Sequence, residues 1–427
     1  MNTLSFSCQG ESHIAAGKVC QDYSLSAISE DNDGIAIVCD GHGGRRYFRS
    51  DVGAKIAAEV ARRNVGTFMR EAGSLLLAGK PFTQQSTISA QIDNQDFNKI
   101  GAVGHAFRQL LGSIIFEWNI EVQHHAKENP VTEAEMKELD PQWIADFNNN
   151  RSLEKVYGCT MIVYAQSEQY WLAFQIGDGK CFTFDETGQW SEPIPWDEKC
   201  FLNKTTSICD SSAIDEFRYC FEGDGKFPIA AILGSDGIDD SFGTAENQAN
   251  FYVQILKSLA RNGIDDTLSE IRSTLPQLSK IGSQDDMSLA MVFDLGKVQK
   301  AYENLVKWQI SNVMQMILAE EEKILKANKV QESLSDISKP TRQDIIDLQY
   351  ADADEKKALE AKEKLRDRLA SLERELSLSS TETATPAPMQ EKAAQASTTS
   401  SANEPDEAPD SNVDTETINE RPENDTD

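Results

Sequence analysis

The 427-residue chain lacks any stretch approaching 18 consecutive apolar residues, so no segment reads as a membrane span. Its opening, MNTLSFSCQGESH, lacks the charged start and apolar run of a secretory leader, and none is expected. Cysteine is sparse and scattered: eight thiols stand at 8, 20, 39, 159, 181, 200, 209 and 220, and none form a Cys-x-x-Cys pair. That spacing speaks against a structural zinc site, and a disulfide framework is not expected in a chain this long without a leader. We read the thiols as reduced and the protein as cytoplasmic; Cys39, Cys159 and Cys181 sit inside apolar, strand-like runs. Cations are short as well: 41 Lys and Arg face 70 Asp and Glu, for a formal net charge of −29. No basic stripe interrupts this acidity, which argues against nucleic acid and anionic membranes as partners.

Glycine is missing altogether from residues 299–376, and Pro340 is the one proline there. That stretch is rich in Ala, Glu, Lys and Leu and reads as helix. Val306, Ile310, Val313 and Ile317 recur at 4-3-4 spacing, and so do Leu365, Leu369, Leu372 and Leu376. Each row is an apolar seam that suits a helical hairpin or a coiled coil. A helical arm is therefore expected over 299–380, either packed on its own domain, binding a partner or self-associating. Residues 381–427 hold twelve acids and two bases among Ser, Thr and Pro, and are expected to be a disordered acidic tail.

Residues 1–298 hold the glycines and cysteines and mix strand with helix. YSLSAIS and GIAIVCD predict two strands joined by a turn-rich loop. Residues 49–78 and 102–127 predict helices, with polar residues 79–100 a loop or insertion between them. CTMIVYAQ, YWLAFQIGD and KCFTFD predict a three-stranded antiparallel meander. PIAAILGSDG and MSLAMVFDL predict two more strands, flanking helices near 245–262 and 265–277. Strands in runs and helices in pairs, without βαβ alternation, favour an α+β fold.

One grammar recurs: an apolar strand that ends in Asp-Gly. It occurs at Asp40 in IVCDGHGG, Asp178 in FQIGDGK and Asp236 in ILGSDGIDD. Asp285 and Asp286 precede a strand in SQDDMSLAMVF, and Asp22 precedes one in CQDYSL. Asp-Gly alone is a common turn signal. Several at similar strand ends in one domain are harder to explain that way. A carboxylate at a buried strand end loses hydration, and neighbouring carboxylates raise one another's pKa. Hard divalent cations such as Mg²⁺ or Mn²⁺ remove both costs. Two such ions roughly 3.5–4 Å apart can turn a shared water into a nucleophile.

DGHGG, GCT…GDGK, GSDGIDD and SQDDMS, in that order, resemble the metal-dependent protein phosphatases of the type 2C (PPM) family. SHIAAGKVCQDYS resembles the first motif of its bacterial members, and the likeness spans about residues 5–295. The resemblance implies a four-layer α-β-β-α sandwich of two antiparallel sheets, with the metals at one sheet edge. It implies that Asp40 bridges two Mn²⁺ or Mg²⁺ ions and that the Gly41 carbonyl binds the second. Asp236 and Asp285 would complete the first ion's ligands, Asp22 would hold metal-bound water, and Asp178 would serve a third, weaker ion. His42 would be the general acid that protonates the leaving alkoxide. Such a site hydrolyses serine or threonine phosphate monoesters, so a phosphoprotein substrate is implied; separately, the two apolar seams make the arm a candidate to dock a partner such as a kinase or a substrate complex.

The chain departs from the family pattern in places. Gln21 stands where Glu is usual, and Gly17 where many members place an Arg on the substrate phosphate. Lys18 or His13 is the replacement to consider. Asp286 stands for the usual Asn, and Gly179 for the usual Ser after Asp178. Two other readings compete with an active phosphatase. One is a catalytically weak adaptor of the same fold acting through its helical arm. The other is a different metal-dependent phosphodiesterase or nuclease, disfavoured by the net charge of −29.

Overall fold

In the computed structural model, residues 1–86, 101–201, 204–225, 227–335, 337 and 340–382 are described. The acidic tail beyond 382, and residues 87–100 of the expected insertion, lie outside them. The strands are β1 (Asn2–Cys8), β2 (Tyr23–Ile28), β3 (Gly34–Cys39), β4 (Thr83–Gln85), β5 (Met161–Gln166) and β6 (Trp171–Ile176). They continue with β7 (Lys180–Phe184), β8 (Trp190–Ser191), β9 (Arg218–Glu222), β10 (Ala230–Gly234) and β11 (Met287–Phe293). They build two antiparallel sheets, β1-β11-β10-β7-β8 and β2-β3-β5-β6-β9-β4.

Successive side chains on a strand point to opposite faces, and here both faces are apolar. In β3, Ile35, Ile37 and Cys39 face the helices Ser50–Phe68 and Ala102–Glu128, which supply Ala54, Ala57, Ala58, Ala61, Phe107 and Trp118. Ala36 and Val38 face the other sheet instead. Likewise Ile232 of β10 faces the helices Ala245–Asn262 and Ile264–Ile281, whereas Ala231 and Leu233 point between the sheets. The result is the four-layer α-β-β-α sandwich, with a core on each side of each sheet. The middle core mixes small side chains, such as Ala36, Ala173, Ala231 and Ala290, with the larger Ile162, Tyr164 and Trp171. A serine seam closes the sandwich where β1 meets β2: Ser7 Oγ lies 2.8 Å from Ser24 Oγ, and Ser26 Oγ lies 3.2 Å from Ser5 Oγ.

One sequence expectation is corrected. β5 and β6 form a hairpin, but β7 leaves their sheet and pairs with β10 in the other. The corner is Gly177-Asp178-Gly179. Gly177 has φ +103°, and a Cβ there would lie 2.4 Å from Thr160 Cβ. Only glycine passes that corner without strain. Part of the polar stretch 79–100 also differs from a loop: β4 adds an edge strand beside β9.

Beyond β11 the chain enters a short helix, Leu295–Lys300, and the expected boundary at 298 falls inside it. Val298, Ala301 and Leu305 belong to the outer core of the β10–β11 sheet. Two long helices follow, Tyr302–Ser335 and Arg342–Glu382. They run antiparallel: Lys362 Nζ lies 2.8 Å from Glu321 Oε1, and Gln331 Nε2 lies 2.8 Å from Asp352 Oδ1. The hairpin returns to the sandwich at Lys257, whose Nζ donates to Gln309 Oε1 at 2.8 Å and Glu375 Oε2 at 2.9 Å. Among the described residues, no helix is long and apolar enough to cross a membrane.

Candidate metal centre

The strand ends named above converge. Asp40 follows β3, Asp236 follows β10 by two residues, and Asp178 stands at the β6–β7 corner. Ligand-type oxygens of these three lie within 4.8 Å of one another. Asp285 and Asp286 precede β11, and with His13 they form a second group of the same span. Asp22, just before β2, is buried, and its Oδ2 has no hydrogen-bond partner among the described residues.

Local backbone pairing fixes these positions. Asp40 N donates to Thr160 Oγ1 at 3.2 Å, and Thr160 N donates to the Asp40 carbonyl at 2.8 Å. Next to it, Gly41 passes so close to the Asp22 segment that a Cβ would lie 2.5 Å from the Gln21 carbonyl oxygen. Ser235 N donates to the Ser288 carbonyl and Ser288 N to Ser235 Oγ, both at 3.0 Å, which ties the Asp236 turn to β11. Asp286 accepts from Gly10 N at 2.7 Å and Gln21 N at 2.6 Å, and so bolts the first motif to β11.

Electrostatically the cluster is unfavourable as it stands. Burial raises the Asp40 carboxyl well above the usual range, and Asp236 and Asp22 add to the rise. Burial does the same to Asp22, reinforced by Asp286 and Asp236. Asp236 and Asp178 are raised too, burial leading in both. With oxygens of Asp40 and Asp236 within 4.8 Å of each other, the charge on one raises the cost of the charge on the other. All-oxygen donors, mutual repulsion and an orphaned buried Asp22 oxygen suit a hard divalent cation.

The other expected site residues are placed as follows. His42 N donates to the Gly158 carbonyl at 3.1 Å, and its Nε2 lies 2.7 Å from Ser207 Oγ. Burial lowers its pKa to about 4; Asp210 opposes that shift and Lys155 adds to it. Lys18 Nζ donates to the Gly43 carbonyl at 3.4 Å, an exposed contact beside the Asp40 turn. His13 is buried, with Nδ1 2.9 Å from Asp286 Oδ2. Its ring therefore faces the carboxylates. Gln21 Nε2 donates to the His42 carbonyl at 3.0 Å and to Ser50 Oγ at 2.5 Å.

Several residues around the site were not singled out by the sequence. Arg218 is fully buried and donates to the Gly177 and Pro195 carbonyls, which pins the Asp178 corner. Thr206 Oγ1 accepts from Gly177 N at 3.0 Å, and the neighbouring Thr205 counters part of the rise that burial imposes on the Asp178 carboxyl. The TTS run carries no motif signal; its partners at the site, Gly177 and His42, are distant in sequence and meet it only in the fold.

A two-sheet sandwich with a carboxylate cluster at its strand ends defines a class suited to divalent-cation chemistry. More specifically, the chain belongs to the protein phosphatase 2C family, whose model matches residues 9–271. None of the curated proteins matches it. Among solved structures, a bacterial serine phosphatase is 16% identical, with a TM-score of 0.39, covering 69% of this chain and 99% of that one. The serine/threonine phosphatase Stp1 from Staphylococcus aureus is also 16% identical, with a TM-score of 0.39 and coverage of 69% and 95%. A C. elegans sex-determining protein is 13% identical, with a TM-score of 0.41 and coverage of 71% and 67%.

Proposed function

We propose that the protein is a phosphoprotein phosphatase that hydrolyses serine and threonine phosphate monoesters with the help of two Mn²⁺ or Mg²⁺ ions. The observation that carries this reading is the meeting of Asp40, Asp178 and Asp236 within 4.8 Å, beside the unpartnered Asp22 oxygen. Asp40, the Gly41 carbonyl, Asp236 and Asp285 would hold the two ions, with Asp178 available to a third. Bound there, such ions neutralise phosphoryl oxygens and provide a nucleophilic water near neutral pH. Asp22, with its Oδ2 unpartnered, would be the residue to orient such a water.

The remaining work falls to the protein. An alkoxide is a poor leaving group and needs a proton as the P–O bond breaks. His42, two residues from Asp40, is the proposed donor. Burial keeps its ring neutral, and an incoming phosphate dianion favours the charged form. Lys18 is the proposed phosphate contact in place of the absent Arg at Gly17, since its ammonium already reaches the Gly43 carbonyl. His13, with Nδ1 2.9 Å from Asp286 Oδ2, stands on the carboxylate side. The arm is a proposed docking element for a phosphoprotein complex or a kinase.

The test is hydrolysis of p-nitrophenyl phosphate and a phosphothreonine peptide with Mn²⁺, Mg²⁺ or EDTA, for the wild type, Asp40→Asn and Asp236→Asn. Metal-dependent turnover lost in both variants supports the reading. A folded wild type without turnover under any metal overturns it in favour of an adaptor.

A further inference from the structure

We infer that Ser207 is a positioning residue for His42, and that it holds the imidazole by Nε2 so that Nδ1 is the nitrogen left for the leaving oxygen. This rests on the reading of His42 as the proton donor. His42 Nε2 lies 2.7 Å from Ser207 Oγ, and that is the ring's hydrogen bond among the described residues. Ser207 Oγ in turn donates to the Cys159 carbonyl at 3.0 Å. With its own proton directed there, the hydroxyl presents a lone pair to Nε2–H. A ring that delivers a proton from Nδ1 must keep the Nε2 proton throughout, and an accepting hydroxyl favours that arrangement.

Cys209 N also donates to the Ser207 hydroxyl, at 3.4 Å, and Cys209 Sγ lies 3.1 Å from it; the Ser207 backbone is anchored as well. Ser207 N donates to Asp210 Oδ2 at 3.0 Å, and Asp210 Oδ1 lies 2.6 Å from Lys155 Nζ. Lys155 belongs to the turn that ends at Gly158, whose carbonyl receives His42 N at 3.1 Å. Backbone and ring of His42 are thus held by the two ends of one closed circuit: Gly158, Lys155, Asp210, Ser207. On its other side Ser207 follows Thr206, which receives Gly177 N and donates to Asp197 Oδ2, each at 3.0 Å. One short segment therefore fixes both the histidine and the Asp178 corner. That continuity is what a side chain holding another within a few tenths of an ångström requires.

The experiment compares Ser207→Ala, Ser207→Thr and His42→Ala on two substrates with different leaving groups. A phosphothreonine peptide releases an alkoxide that needs the proton; p-nitrophenyl phosphate releases a phenolate that needs it far less. For Ser207→Ala, kcat on the peptide should fall by roughly 10- to 100-fold, with kcat on the aryl ester changed much less and Ser207→Thr restoring the peptide rate. In the metal-free protein, the ¹⁵N shifts of the His42 ring should report Nε2–H in the wild type and a tautomer mixture in Ser207→Ala. Equal losses on both substrates, or an unchanged tautomer, overturn the inference. If His42→Ala shows the leaving-group selectivity and Ser207→Ala does not, the inference fails while the reading of His42 stands. If His42→Ala shows no selectivity, that reading fails and takes the inference with it.

Discussion

At Gly41 the chain has no room for a side chain: a Cβ would sit 2.5 Å from the Gln21 carbonyl and 2.8 Å from that of Ser50, both backbone atoms that cannot swing away. Gly41→Ala should therefore lower stability by about 1–3 kcal/mol and push the Asp40 turn away from the Asp22 segment. Thermal melting measures the first effect, and loss of Mn²⁺ affinity by calorimetry the second. Asp236→Asn should act in the opposite sense on stability. It removes one of the buried charges that raise Asp40. The metal-free variant should melt higher than metal-free wild type, by on the order of 1 kcal/mol, although it binds divalent cations poorly. A lower melting temperature without metal would mean that the Asp236 carboxylate is a structural partner. The acidic residues themselves were legible because each sits next to a Gly or a strand start, where turn chemistry shows in the sequence. Ser207 was not legible. It acts on His42 across 165 positions, and no local pattern marks a hydroxyl that will meet an imidazole through tertiary structure.

Among the elements, β5 and β6 could be read as a hairpin from their apolar runs and turn, but the departure of β7 could not. A fully buried strand looks the same in either sheet, so alternation does not tell which partner it takes. Its register depends on the Gly177 corner, and glycine alone does not announce a change of sheet. The arm shows the same limit. Its seams at Val306 and Val313 are buried, and Leu372 is buried on the returning helix, yet spacing left open whether they faced the domain or a partner. What fixes the return is polar: Lys257, a buried residue of the Ala245–Asn262 helix, meets Glu375. Burial pushes Glu375 upward, but hydrogen bonds from Lys257 and Tyr302 outweigh it and hold the carboxyl below its ordinary range. A lowered native carboxyl contributes stability above the ordinary carboxylate range and loses it as pH falls through the native value. Amide exchange in residues 342–382 should therefore quicken as pH drops below about 4, beyond the intrinsic pH effect on exchange. Glu375→Gln should reproduce that loosening at neutral pH, at a cost of about 1.5–3 kcal/mol to arm docking. Exchange in that variant indistinguishable from wild type would show that the apolar seam alone seats the hairpin.

On the scale of the whole molecule, the −29 charge and the carboxylate cluster make the same demand, since both oppose compaction in the absence of cations. The two parts are separable by experiment. Diffuse repulsion is screened by any salt, with a Debye length of about 10 Å at 0.1 M. A site of converging oxygens responds to the particular ion, because binding to the native state alone stabilises by RT ln(1 + [L]/Kd), about 2.7 kcal/mol at a hundredfold excess over Kd. Millimolar Mn²⁺ or Mg²⁺ should therefore raise the melting temperature by several degrees above NaCl of equal ionic strength, and EDTA should reverse the rise. Asp40→Asn and Asp236→Asn should keep the response to NaCl and lose the specific one. If both variants kept the full divalent shift, the ions would be acting elsewhere on the acidic surface. The cluster at the strand ends would then be carboxylates that burial keeps hard to ionise, and the hydrolytic reading would lose its foundation. If the shift vanished in both variants while the NaCl response persisted, the strand ends that drew attention in the sequence would be the place where the fold takes up its metal.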